Sequence, residues 1–66
     1  MKKVSELYSI WLEGDSLSDG EIVRLRDAFD AAAEANAVLG QRFRLAFLEA
    51  NNQLNSVEDA CRARGL

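Results

Sequence analysis

The sequence predicts an all-α protein: a short N-terminal helix folded onto one long helix, with chains assembling into an oligomeric helical bundle. Three observations carry this expectation. Apolar residues recur at steps of three and four from Ile22 to Cys61, a complete helix-start signal stands at Leu17–Ile22, and Gly14 and Gly65 mark helix ends. The 66 residues make one small domain, 1–66, with a formal net charge of −3.

Size bounds what the chain achieves alone. A domain this short buries only about 60% of its unfolded surface, and its core rarely supplies more than roughly 3–5 kcal/mol. Small proteins make up the difference with disulfides, a metal or a partner. The single cysteine, Cys61, excludes an intramolecular disulfide, and a chain without histidine holds no structural zinc site. Self-association or unusually good helix packing is what remains.

Val4 to Glu13 reads as the first helix. Val4, Leu7 and Trp11 share a face, Tyr8 and Ile10 lie at its margins, and Gly14 ends it by entering the left-handed region without a Cβ penalty. So short a helix is marginal in water and has to dock. Leu17-Ser18-Asp19-Gly20-Glu21-Ile22 then combines a capping box, Ser18 with Glu21, and a hydrophobic staple, Leu17 with Ile22.

Beyond the start, Ile22, Leu25, Phe29, Ala32, Asn36, Leu39 and Phe43 alternate by three and four. Phe47 follows after a second consecutive four, and Ala50, Leu54, Val57 and Cys61 resume the alternation. The mean step is about 3.55 residues, near the coiled-coil value of 3.5, and the extra four is a stutter. Around Gly40 there is no proline and no Ser, Thr or Asp to cap a new helix. The expectation is therefore one helix from Asp19 to about Ala63, roughly 68 Å long, with a kink permitted at Gly40. The alternative is a three-helix bundle with a reversal near Gly40. Glu58 and Arg62 form an i, i+4 pair near the end, Arg62 and Arg64 complement the dipole, and Gly65 stops the helix.

The middle of the long stretch is apolar on two sides, with Val38, Leu45 and Leu48 pointing away from Leu39, Phe43 and Phe47. A second chain would cover that surface. The interface residues expected are Phe29, Asn36, Leu39, Phe43, Phe47, Ala50, Leu54 and Val57. Asn36, a polar residue on the stripe, either sets register or turns to solvent. Seven acids against Arg24 and Arg26 between Glu13 and Glu34, and four arginines against three acids after Ala35, would suit antiparallel pairing of two copies.

Chemical motifs fail on inspection. Gly14-Asp15-Ser16-Leu17 matches the nucleophile block of the GDSL hydrolases by letter, but no histidine is present to take the serine proton. Asp15 to Arg26 approximates an EF-hand loop in which Leu17 replaces the third-position ligand and Arg26 the bidentate glutamate. Cys61 continues the stripe as a small hydrophobe. The negative charge, and an acidic first turn after the Gly14–Ser18 turn, exclude the usual footprint of a DNA binder. No apolar run approaches the roughly 18 residues of a membrane span, and Val4–Asp15 lacks a signal-peptide cleavage site.

The expected function is that of a non-enzymatic cytoplasmic interaction protein, an adaptor, regulator or inhibitor. It would act through a homo-oligomeric bundle surface, with itself (a homodimer or higher) and another protein as partners. The alternative is an oligomeric binder sequestering an anionic metabolite or nucleotide, with Arg24, Arg26, Arg42 and Arg44 converging from different chains. Otherwise these arginines are solvated and paired with Asp27, Asp30 and Glu49. No cofactor, metal, nucleic acid or membrane is expected.

Overall fold

The computed structural model describes residues 1–39 and 44–66, with side chains outside 38–47. Three helices are present among them: α1 (Val4–Leu12), α2 (Asp19–Leu39) and α3 (Arg44–Ala63). α2 and α3 lie antiparallel as a hairpin, because the end of α3 meets the start of α2. There, Arg64 Nη1 donates to Leu17 O at 2.6 Å and to Asp19 Oδ1 at 3.2 Å. α1 packs across this open end of the hairpin.

The chain thus takes the alternative and not the expected long helix. A helix from Asp19 to Ala63 would run about 68 Å, whereas the molecule measures 34 × 22 × 18 Å. Magnitudes explain the difference. A missing N-cap costs about 1 kcal/mol, while burying one Ile, Leu or Val side chain contributes about 1.5–3 kcal/mol. Folding back buries Ile22, Leu25, Val57 and Cys61 together, so the absence of a capping residue near Gly40 could not forbid the reversal. Gly40, Arg42 and Phe43 themselves lie outside the described residues, as do the side chains of Val38, Leu39, Arg44, Leu45 and Phe47.

Local signals hold closely. At the start of α2, Ser18 N–H donates to Glu21 Oε1 at 3.0 Å and Glu21 N–H donates to Ser18 Oγ at 3.2 Å, completing the capping box. Leu17 and Ile22 are buried in one cluster, as a staple requires. α1 stops one residue earlier than expected, with Glu13 as its C-cap. Gly14, at φ +81°, then closes it in a Schellman motif: its N–H donates to Trp11 O, and Asp15 N–H to Ile10 O. The same motif ends α3, where Gly65 N–H donates to Arg62 O and Leu66 N–H to Cys61 O.

Among the described residues the core has two parts. Leu7, Leu17, Ile22, Leu25, Val57 and Cys61 form a fully buried cluster at the open end, flanked by Tyr8, Ile10, Trp11 and Ala60. Farther along the hairpin the buried residues become small, Ala33 and Ala50 with Leu54. Phe29 packs against both clusters, and its ring meets Tyr8 edge to face at 5.2 Å. In α2 the buried line passes through Ala33 and leaves Ala32 half-buried, unlike the heptad count. Ile22 to Ala33, through Leu25 and Phe29, covers eleven residues in three steps, and so does Ala50 to Cys61 through Leu54 and Val57. In α2 the second consecutive four departs from heptad alternation, whereas in α3 the steps of four, three and four keep it.

Candidate functional site

A groove lies on the outer surface of the hairpin, between α2 and α3 near the open end. Its volume is about 330 Å³, and its walls are Arg26, Asp27 and Asp30 from α2 and Leu54, Glu58, Cys61 and Arg62 from α3, with Leu66 at one end. Helix periodicity produces it: Asp27 and Asp30 stand beside the buried line of α2, and Glu58 and Arg62 stand beside that of α3. Arg26 lies 3.3 Å from Asp27, and Arg62 lies 3.6 Å from Glu58 and 3.3 Å from Asp59. Three carboxylates against two guanidinium groups leave this wall negative. An anion entering it would have to displace a carboxylate from each arginine.

Arg24 is engaged elsewhere. Its Nη1 donates to Lys2 O at 2.8 Å, while Lys2 Nζ lies 3.3 Å from Glu21 Oε2. Glu21 is therefore a hub, with one carboxylate oxygen capping α2 and the other pairing with the segment that leads into α1. Its carboxyl is held below the usual carboxylate range, first by the Ser18 backbone N–H, then by the Ser18 hydroxyl and the Lys2 ammonium. Arg24 and Arg26 do not converge: one faces Lys2 and the other the groove. Arg42 and the Arg44 side chain lie outside the described residues.

The residues expected at an interface between chains divide. Val57, Leu54 and Ala50 are buried in the chain's own core. Phe29 and Asn36 are half-buried and keep part of their surface. Leu39, Phe43 and Phe47 fall among the residues whose side chains are not described. Within the chain, Arg64 of the C-terminal half meets Asp19 of the acidic N-terminal half. Of the three residues assigned to a second apolar face, Leu48 is the one described, and it is 45% exposed. Leu12, at 61%, and Val4, at 39%, add exposed apolar surface on α1.

One feature was beyond the reach of sequence reasoning and another was missed by it. The Arg64 clasp joins residues far apart in the chain, and only the reversal brings them together. The exposure of Leu12 could have been read from its place opposite Leu7 and Trp11 on α1.

Among the described residues, no cluster of three or more His, Cys, Asp or Glu side chains is placed to hold a metal ion, and no helix is long and apolar enough to cross a membrane. Comparison of the chain with family models, with curated proteins and with solved structures finds no match.

Proposed function

We propose that the protein is a non-enzymatic interaction module that self-associates and presents a helical surface to another protein. One observation carries this reading: the single chain leaves more surface in water than its size requires. Its accessible area is 4604 Å², about a tenth above the roughly 4,200 Å² expected of a folded monomer of this mass. The radius of gyration agrees, at 12.1 Å against about 10.8 Å for a compact domain of this length. Leu12 and Val4 on α1 and Leu48 on α3 stand out of that surface as exposed apolar side chains able to contact another molecule.

Sedimentation equilibrium across a wide concentration range tests the reading. The mass should rise above 7.3 kDa toward that of a dimer as concentration increases. A mass of 7.3 kDa throughout would overturn self-association. Leu48→Glu should shift the equilibrium toward monomer without loss of helical circular dichroism if α3 contributes to the contact.

A further inference from the structure

We propose that α1 is an exchangeable strap, and that the groove beneath it is a helix-docking site whose second occupant is α1 of another copy of this chain. The proposal rests on the self-association just argued and gives it a geometry. α1 has nine residues and no side-chain cap at Lys3, so it has little helical stability of its own. It is held by Leu7, by half-buried Tyr8, Ile10 and Trp11, and by two polar pins, Lys2 to Glu21 and Arg24 to Lys2 O. Under it lie Leu17, Ile22, Leu25, Val57 and Cys61, an apolar floor supplied entirely by the hairpin and the residue leading into it.

The boundary between strap and hairpin is sharp. Asp15 N–H still belongs to the closing motif of α1, where it donates to Ile10 O. Leu17 already belongs to the hairpin, with its side chain in the staple and its carbonyl held by Arg64. The pivot is the stretch between them, about Gly14 to Ser16. Extended, the four residue steps from Glu13 to Leu17 span about 14 Å, the reach available to carry α1 onto an adjoining hairpin. The floor specifies its occupant by fit: a fully buried leucine, an aromatic edge against Phe29 and an ammonium beside Glu21. α1 of a second copy brings all three, and reciprocal exchange closes a two-fold dimer in which each pairing is restored.

The Lys2–Glu21 pair, at 3.3 Å, supplies a direct test because a zero-length carbodiimide coupling joins such a pair. Equal amounts of heavy-isotope and ordinary full-length chain are mixed, equilibrated at high concentration and coupled. The Lys2–Glu21 peptide pair is then weighed. Exchange predicts mixed-isotope pairs in the dimer fraction, lost when the mixture is diluted before coupling. Pairs of a single isotope only, within a species of dimeric mass, would overturn the exchange and leave self-association standing. Single-isotope pairs in a species of 7.3 kDa would overturn both. Absence of any Lys2–Glu21 coupling would overturn the pin and the strap with it.

Discussion

At the scale of single residues, the largest effects belong to the side chains sealed at the open end of the hairpin. Leu25 is fully buried among Leu7, Ile22, Val57 and Cys61, so Leu25→Ala should lower stability by about 2–4 kcal/mol through lost transfer energy and the cavity left behind. Urea denaturation checks this by the shift in midpoint at constant slope. Arg64 is a smaller case. Its side chain is partly exposed, and Arg64→Ala should cost about 1 kcal/mol, because a charge-assisted hydrogen bond near the surface is weakened by solvent. Gly20 is expected to act in the opposite direction. It sits in the first turn of α2 with nothing within 4 Å of an added Cβ. Gly20→Ala should therefore raise stability by about 0.5–1 kcal/mol, because the unfolded chain loses freedom that the helix never used. A lower melting temperature for this variant would refute that account.

At the scale of elements, the beginning of α2 joins two functions in one carboxylate. Glu21 caps the helix and pins the approach to α1. Its folded-state pKa lies below the ordinary value, so its contribution is present above the usual carboxylate range and is lost as pH falls through the lowered value. Glutamine still serves a capping box but neither ionises nor pairs with Lys2. Melting temperatures of the parent and Glu21→Gln should therefore differ near neutrality and converge in acid. A gap independent of pH would show that ionisation of Glu21 is not involved. Every helix end with a local chemical signature was legible in the sequence: Ser18 and Glu21 at one, Gly14 and Gly65 at two others. The end of α2 and the start of α3 were not. No capping residue advertises them, and the decision to turn there belongs to Val57 and Cys61, which find Ile22 and Leu25 only after the turn is made.

At the scale of the whole molecule, an apolar stripe shared by α2 and α3 explains why Ala50, Leu54 and Val57, expected between chains, are buried within one. Ala50, Leu54 and Val57 form the same pattern whether their partner is another chain or the preceding helix. Periodicity reports that a face is covered and not what covers it. The departure from heptad alternation in α2, a second consecutive four from Phe29 to Ala33, shows only once Ala33 is seen to be buried. Leu12 and Leu48 are exposed, whereas Ala50, Leu54 and Val57 are buried within the chain.

Phe29, which touches both clusters of the hairpin, should also decide whether the protein melts as one body. Among the described residues, large side chains fill the open end and Ala33 and Ala50 lie in the next stretch of the hairpin, so the two parts should differ in intrinsic stability. A ring that spans them makes each end's loss felt by the other, the condition for an all-or-none transition. Phe29→Ala should separate the two. Fluorescence of Trp11, the only tryptophan and a reporter on the open end, should then follow a different thermal curve from the helical circular dichroism of α2 and α3. In the parent protein the two curves should coincide, making cooperativity, and not strength alone, the contribution of that one ring.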